Sequence, residues 1–333
     1  MNTVDAVPTE EPVRVVTELN PDKSFAEDVC APMLRKAQNS DGGWGFHPGA
    51  TSRVEPTCWA LKALMYLESR RDRDDHAITR ALSFLTGAQL SDGSWPSTSE
   101  EKHGCWVSSL ACWMLAGSRE EKYSRAVASG LAWICGDWPR DSSWWQRTLR
   151  RLSSGVGHSR QSESARGWGW TPGTSSWVEP TAFALLALEN QAGAQLPSSA
   201  QKRRKLGEAL IYDRMCPGGG WNCGNPEVYG VAGEPLVIPT AWALLALRHY
   251  PGRRENIESL AWMEKNFPSI QGPGSYAMAS LCLAAYGRNE IANRPSASDV
   301  HARNESLSSI PVAAWMILAS SDPRNWLAPG KHS

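Results

Sequence analysis

The sequence predicts an all-α protein built as an (α/α)6 barrel, a closed double ring of alternating inner and outer helices. Two observations lead to this prediction. A loop-and-helix unit recurs, reading GGWGFHPGATSRVEPTCWALKAL at 42–64 and GWGWTPGTSSWVEPTAFALLAL at 167–188, with weaker copies at 91–115 and 218–247. Such internal repetition indicates a repeat architecture. Helical segments of two kinds also alternate along the chain, without a strand pattern of convincing length.

The first kind of segment has apolar residues at helical spacing on one face and charges between them, which is typical of a helix with one wet side. These predicted outer helices are 24–38, 76–89, 122–135, 200–213 and 254–267, with 289–304 as a sixth that Pro295 interrupts. The second kind is apolar nearly all round and must be buried. These predicted inner helices are 57–67, 107–116, 181–189, 240–250, 275–286 and 310–320. Six buried helices favour a closed ring, and an open solenoid is the alternative.

The repeats place one barrel over residues 23–325, between a flexible N-terminal tail at 1–22 and a C-terminal tail at 326–333. The N-terminal tail is polar and shows no helical period. An insertion at about 136–166 carries a short cationic segment and a Gly/Ser-rich loop. Long loops in compact domains often cover binding sites, so we interpret this one as lid-like.

Composition argues against several classes of protein. Lys plus Arg and Asp plus Glu number 34 each, so no basic field favours nucleic acid. The longest apolar runs, such as 182–188, are too short to span a bilayer. No basic flank precedes an apolar run near the N-terminus, and we expect a cytoplasmic protein. The 8 cysteines stand singly, which favours reduced, buried thiols.

In the loops QNSDGGW at 38–44 and QLSDGSW at 89–95, each shared residue type has a structural role. Gln bridges the end of the outer helix, the glycines make the turn, and Trp packs the turn against its neighbours. This pattern resembles the QW repeat of squalene-hopene cyclases and related triterpene cyclases. The helix alternation resembles the barrel that those enzymes share with protein prenyltransferase β subunits. The resemblance covers about residues 24–320 and implies an isoprenoid substrate.

In the resembling cyclases, the middle Asp of an Asp-x-Asp-Asp-Thr motif protonates an alkene or epoxide. The run DRDD at 72–75 does not occupy that position, and we expect it to be solvated and ionised. Alignment of the repeat instead places Glu179 and Glu55 on the acid position, each followed by Pro where the family has Asp. Both are therefore candidate catalytic acids. The alternative is that each only satisfies free N–H groups at a helix start.

The cation chemistry that the resemblance implies requires aromatic faces, which stabilise positive charge. Aromatic candidates at the loop–helix junctions are Trp44, Phe46, Trp106, Trp168, Trp170, Trp177, Trp221 and Tyr229. Among them we expect Trp44 and Trp221, like Trp95, to be staples, by which we mean tryptophans that anchor a loop against neighbouring helices. We expect Trp106, Trp170 and Trp177 to line a cavity. The other candidate substrate-binding residues are His47, His103, His158 and Arg166. Arg166 belongs to a cluster with Arg147, Arg150, Arg151 and Arg160. This cluster could bind a diphosphate group or could only face solvent.

Three functions remain open at this stage. The first is acid-initiated cyclisation or isomerisation of a small apolar isoprenoid, without a cofactor. The second is a non-catalytic toroid that binds an apolar ligand or a partner protein. The third is a zinc-dependent prenyl or thiol transferase, for which Cys216, Cys223 and His103 are weak ligand candidates although we expect no metal. Because the family's large cyclases carry a second barrel, a partner subunit or a homo-oligomer is a further expectation.

Overall fold

The computed structural model describes residues 21–116, 121–139, 162, 165–189, 197–228, 230–288, 295–302 and 308–327. These residues form two concentric rings of helices. The inner helices are α2 (Val54–Tyr66), α4 (Val107–Leu115), α6 (Val178–Glu189), α8 (Val237–Ala246), α10 (Pro273–Ala285) and α12 (Ile310–Ser320).

The outer helices precede the inner ones in the chain. They are α1 (Pro21–Phe25, a π-helical turn Ala26–Cys30, then Ala31–Ala37), α3 (Asp72–Gly87), α5 (Glu121–Gly136), α7 (Ser198–Asp213), α9 (Arg254–Asn266) and α11 (Ala297–Ala302). A 3-10 turn, Phe267–Ser269, extends α9, and α13 (Pro323–Leu327) follows the last inner helix. A two-stranded antiparallel hairpin, β1 (Glu227–Val228) and β2 (Val231–Ala232), lies in the loop before α8.

The inner ring is closed. Each inner helix packs against the next one along the chain, and α12 packs against α2. The outer helices pack on the outside of this ring, as α3 does on α2 and α5 does on α4. The predicted α/α toroid is thereby confirmed, and the open solenoid is wrong. Closure buries the inner helices on all sides, as helices that are apolar on every face require.

Three inner helices begin three residues earlier than predicted, at Val54, Val178 and Val237. Each carries Pro as its third residue. The first turn of a helix has backbone N–H groups without intrahelical partners, so Pro costs no hydrogen bond there. The prolines therefore belong to the helices, and Glu55 and Glu179 lie in the first turn as the second residue.

One set of hydrogen bonds fixes every repeat loop. The indole N–H of Trp44, Trp95, Trp168 and Trp221 donates to a backbone carbonyl of the preceding outer helix, at 2.8, 2.6, 2.8 and 2.6 Å. All four side chains are buried. Trp44, Trp95 and Trp221 are thus staples as predicted. Trp168 is also a staple, because its indole is held in the wall and not at a cavity.

The glutamine of the loop has a wider reach than the sequence indicates. The Gln38 side-chain amide donates to the Gly42 carbonyl of its own loop and to the Ala77 carbonyl of α3, both at 2.9 Å. Gln89 repeats this arrangement with Gly93 and with Ala126 of α5. Each glutamine therefore ties its loop to the next outer helix.

Both ends of the barrel extend beyond the predicted boundaries. Asp22, assigned to the N-terminal tail, accepts hydrogen bonds from the Tyr276 hydroxyl at 2.8 Å and the Ala297 N–H at 2.7 Å. Trp326, assigned to the C-terminal tail, is fully buried, with its ring 6.1 Å from that of Trp113. The contacts of the barrel therefore include Asp22 at one end of the chain and Trp326 at the other.

Some predictions fall outside the described residues. Most of the insertion at about 136–166 does, since 140–161 and 163–164 are not described. Of the sixth outer helix at 289–304, the structure describes only the six residues of α11 and the two before them. All eight cysteines are free, and six of them are buried. No helix in the described part of the chain is both long and apolar enough to cross a membrane.

Candidate functional site

A shared hydroxyl position sets the register of four repeats. Thr57, Ser108, Thr181 and Thr240 each accept a hydrogen bond from the backbone N–H of their loop tryptophan, at 2.8 to 2.9 Å. Two residues before this hydroxyl, the four inner helices carry Glu55, Trp106, Glu179 and Ile238. The two glutamates therefore occupy equivalent places in the first turns of α2 and α6, and α4 packs between those helices.

Both carboxyl groups have raised pKa values. Burial raises the pKa of Glu55 to about 7, the nearby Trp59 indole acts in the opposite direction, and a negative charge on Glu179 adds to the rise. Burial alone raises the pKa of Glu179 to about 7. Each group is therefore a protonated acid over part of the neutral range, as a general acid requires.

The acid role and the helix-capping role predict opposite shifts of the glutamate pKa. A carboxylate that only satisfies free backbone N–H groups would have a lowered pKa. No backbone donor from the described residues contributes to the pKa of either glutamate. The raised pKa values of both groups favour the acid role, which stays a prediction.

An aromatic cluster lies one turn deeper, on the barrel axis. Trp59 of α2 stacks on Trp242 of α8 at 5.2 Å between ring centroids and makes an edge contact with Trp113 at 6.2 Å. Phe183 of α6 lies 6.2 Å from Trp59 and 4.9 Å from Trp242. Trp315 of α12 closes the cluster, 5.8 Å from Trp59. We call these five residues the aromatic floor, because the glutamates stand directly above them.

The aromatic floor was not predicted from the sequence. Its members lie inside inner helices, where an aromatic residue is read as ordinary core. The available signal was spacing: Trp59, Phe183 and Trp242 each follow the register hydroxyl by two residues. That spacing places them one helical turn below the position of the glutamates.

Two of the three tryptophans expected in the cavity join the floor at its edge. Trp106 stacks on Phe183 at 5.2 Å and meets Trp170 edge-on at 5.1 Å. The Trp106 N–H also donates to the Trp170 carbonyl at 3.1 Å. Trp177 is half-buried just before α6, and its N–H donates to the Trp168 carbonyl at 2.9 Å. A substrate-binding role for these three residues stays a prediction.

An open cavity of about 590 Å³ reaches Glu179 from the repeat-loop end. This volume lies within the range of small-molecule sites, ~300–1,000 Å³. Its lining combines apolar and polar side chains, including Cys223, Ile238, Trp262, Asn266, Gln271 and Ser275. Glu179 is the carboxyl group at the wall of this cavity, and Glu55 is not among its lining residues.

The remaining candidate residues are more dispersed. Phe46 is half-buried and its carbonyl accepts a hydrogen bond from the Ile310 N–H at 2.9 Å, at the start of α12. His47 is exposed, with its ring 3.2 Å from the Ser308 carbonyl, and His103 is also exposed. The structure does not bring either histidine to the glutamates. His158 and Tyr229 lie outside the described residues.

Arg166 lies against the wall of the barrel. Its guanidinium is 5.9 Å from the centroid of the Trp138 ring. The other arginines of its sequence cluster, at 147, 150, 151 and 160, lie outside the described residues. A role toward a diphosphate therefore stays a prediction.

The weak metal candidates are separated in the fold. Cys216 is buried behind its loop, Cys223 lies at the cavity beside Glu179, and His103 is on the surface. Within the described ranges, no three His, Cys, Asp or Glu side chains come together in a way that could hold a metal ion.

The DRDD run begins the outer helix α3, away from the barrel mouth. The expectation that it is fully solvated is wrong for Asp74, which is buried and paired with Arg35 at 2.8 Å. Burial acts to raise the pKa of Asp74, but hydrogen bonds from the Arg35 guanidinium and the Arg71 N–H outweigh it and hold that pKa below its ordinary value. Asp74 is therefore ionised and serves as a structural anion.

Comparison with known proteins agrees with the sequence resemblance. No family model matches the chain. A drimenyl diphosphate synthase of Streptomyces showdoensis is 28% identical over 256 residues, which cover 66% of this chain and 46% of that protein. Lanosterol synthase of Mus musculus is 38% identical over 74 residues, 19% of this chain and 10% of that protein. The chain thus spans less than half the length of either curated relative.

Solved structures share the architecture. The type II terpene cyclase MstE from Scytonema, in complex with geranylgeranyl dihydroxybenzoate, superposes with a TM-score of 0.55 at 13% identity, over 92% of this chain and 97% of that one. A glycosidase variant superposes with a TM-score of 0.55 at 10% identity, over 93% and 98% of the two chains. At such identities the likeness shows the fold alone. The chain therefore has the α/α toroid fold of these structures, and parts of its sequence are similar to a drimenyl diphosphate synthase and to lanosterol synthase.

Proposed function

We propose that this protein is a class II-type terpene-cyclase-like enzyme that starts cyclisation or isomerisation of an isoprenoid by protonating it. The observation that carries the proposal is the pair of glutamates at equivalent helix starts, each with a pKa of about 7, above an aromatic floor. A half-buried neutral carboxyl group can donate a proton, and aromatic faces below it suit the cation that protonation creates.

The chemistry needs no redox partner. The carboxyl proton forms a C–H bond at one carbon of a terminal alkene, or an O–H bond at an epoxide oxygen, and positive charge develops on the neighbouring carbon. Each desolvated aromatic face stabilises such a charge by ~2 kcal/mol. Loss of a proton from the final cation to a base yields a neutral product, and uptake of a proton from solvent by the glutamate carboxylate restores the acid.

The substrate class follows from the same features and from the relatives. The wall of the cavity at Glu179 is mainly apolar near Ile238 and Trp262, as an isoprenoid chain requires. The relative named drimenyl diphosphate synthase and the MstE complex with a geranylgeranyl-bearing molecule support an isoprenoid. A partner subunit or a second copy of the chain that completes the mouth belongs to this proposal, and light scattering of the purified protein tests it.

Substitution of the two glutamates tests the acid assignment. Glu55→Gln, Glu179→Gln and the double variant keep side-chain size but remove the transferable proton. Turnover is measured by mass spectrometry of products formed from prenyl diphosphates, a prenylated aromatic acid and squalene. The double variant should lose at least about 100-fold in rate. Wild-type activity should fall above pH 7, because deprotonation consumes the acid.

Glu234→Gln is the matched control, since Glu234 is exposed at the same end of the barrel. It should retain wild-type rates. Full turnover by the double variant would show that neither glutamate is the acid. If the wild type binds an isoprenoid without converting it, the protein is the non-catalytic toroid. Turnover that depends on added zinc would indicate the transferase instead.

A further inference from the structure

The two glutamates stand in unlike surroundings one helical turn below each carboxyl. Residues four apart on a helix lie on the same face, so Trp59 lies beneath Glu55 and Phe183 beneath Glu179. An indole carries an N–H donor, whereas a phenyl ring has none. The Glu-Pro-Thr starts of α2 and α6 therefore differ in whether an N–H donor lies one turn below the carboxyl group.

The Trp59 indole is fixed in place. Its side chain is 1% exposed and is packed against Trp113, Phe183, Trp242 and Trp315. Its Nε1 is buried and forms no hydrogen bond with any described residue. A buried donor without an acceptor costs stability, so an unpaired indole N–H at this position suggests a functional role.

The acceptor that this N–H could serve is the Glu55 carboxyl group. The Trp59 indole lies close enough to Glu55 to lower its pKa against the effect of burial, although the two do not reach hydrogen-bonding geometry. The causes of the raised Glu179 pKa include no donor of this kind. A charged acceptor attracts an N–H roughly twice as strongly as a neutral one. Ionisation of Glu55 would therefore complete the hydrogen bond.

We propose that Trp59 is a positioning residue for Glu55, and that its indole N–H makes Glu55 the proton donor of the pair. This inference rests on the proposed function. When Glu55 gives its proton to the substrate, the carboxylate left in an apolar site gains the Trp59 N–H as partner. This hydrogen bond is weak while Glu55 holds its proton and strengthens as the proton is transferred. It therefore stabilises the transition state more than the ground state and lowers the barrier to protonation.

Trp59→Phe tests the proposal, since it keeps an aromatic ring in the floor and removes the N–H. Without the donor, the Glu55 carboxylate is less stable and the acid is weaker. We expect kcat to fall roughly 10- to 100-fold. The descending limb of the pH–rate profile should move to higher pH, because the pKa of Glu55 rises. Glu55→Gln should cost more activity than Glu179→Gln.

Trp242→Phe is the matched control. Trp242 is also 1% exposed and stacks on Trp59, but Ile238 stands one turn above it in place of a glutamate. It should leave the pH limb in place. If both tryptophan variants lower kcat equally and neither moves the limb, Trp59 only fills space and the proposal is overturned.

A measurement without substrate separates this inference from the proposed function. In a ¹H–¹⁵N spectrum, the Trp59 indole resonance, assigned from its loss in Trp59→Phe, should shift as pH passes through about 7. That shift should vanish in Glu55→Gln and persist in Glu179→Gln. If the Trp59 resonance of the wild type does not shift with pH, the proposed pairing of Trp59 with Glu55 is overturned, even if turnover is found. A titrating resonance without turnover keeps the pairing and rejects the enzyme.

Discussion

Lys62 is a charged residue where the sequence predicts an apolar helix face. It lies in α2 two turns beyond Glu55 and is 4% exposed. Its Nζ is 4.8 Å from the centroid of the Trp113 ring and 5.2 Å from that of Tyr66. Burial, with a contribution from the positive charge of Arg248, lowers the pKa of Lys62 to about 7. A neutral amine on the barrel axis is therefore compatible with the apolar core around it.

Lys62→Met should stabilise the protein in a pH-dependent way. The unfolded chain holds the lysine proton up to about pH 10.5, whereas the folded protein releases it near pH 7. Wild-type stability therefore rises between these values, and the methionine variant lacks that rise. Its advantage should be roughly 3–5 kcal/mol below pH 7 and should vanish near pH 10.5. Urea unfolding across pH 6–10 measures it.

Lys265→Met is the comparison for this experiment, because Lys265 is exposed on α9. It should change the free energy of unfolding little at any pH. A Lys62→Met variant that is less stable than wild type at pH 6 would show that the attraction of the ammonium to the Trp113 and Tyr66 rings exceeds its desolvation cost.

At the residue scale, the sequence located the two glutamates but not their surroundings. Alignment of the repeats was sufficient to place Glu55 and Glu179 at helix starts. Their raised pKa values depend on burial by inner helices that are distant in sequence. The same holds for Trp59, whose partners Trp242 and Trp315 lie far along the chain.

The repeat loop is the element on which each pair of helices depends. Its glycine approaches the next outer helix closely. A Cβ on Gly93 would lie 2.6 Å from the Ser129 carbonyl oxygen, and the φ of Gly93 is +90°. Gly42 and Gly219 meet carbonyl oxygens of α3 and α9 in the same way. Only glycine allows this contact, because any side chain would separate the loop from the helix.

Gly93→Ala should lower the free energy of unfolding by roughly 2–4 kcal/mol, since it combines a strained φ with a clash against backbone. Chemical denaturation of the purified variant measures the loss. Gly87→Ala is the control: an added Cβ at the end of α3 meets nothing within 4 Å, and alanine favours the helix. Equal stability of Gly93→Ala and wild type would show that the loop can move away from α5.

Helix types were predictable from periodicity, and helix ends were less so. Prolines at 56, 180 and 239 seemed to precede the helices but belong to their first turns. The difference matters to function, because it places the glutamates within the first helical turn and not before it. The floor aromatics were missed for a related reason: an apolar pattern does not distinguish the face toward the axis from the face toward the outer ring.

At the scale of the whole molecule, closure makes the barrel one cooperative unit. Contact between α12 and α2 joins the last inner helix to the first, and buried Trp326 covers the axis at the far end. An open repeat array can unfold progressively from its ends, but a closed ring has no free end.

Chemical denaturation should therefore give a single transition. The 17 tryptophans report on the whole barrel, so their fluorescence should change at the same denaturant concentration as the far-UV circular dichroism. Two separated transitions would contradict the single cooperative ring and would indicate that some repeats unfold independently.

The sequence by itself determined the repeat, the two kinds of helix and the positions of Glu55 and Glu179, because these follow from patterns within about thirty neighbouring residues. Only the tertiary structure decided that the ring closes, that Trp59 rather than the loop tryptophans lies beneath Glu55, and that Lys62 is buried. Burial and electrostatic environment depend on which distant helices surround a group, and periodicity within one helix does not contain that information.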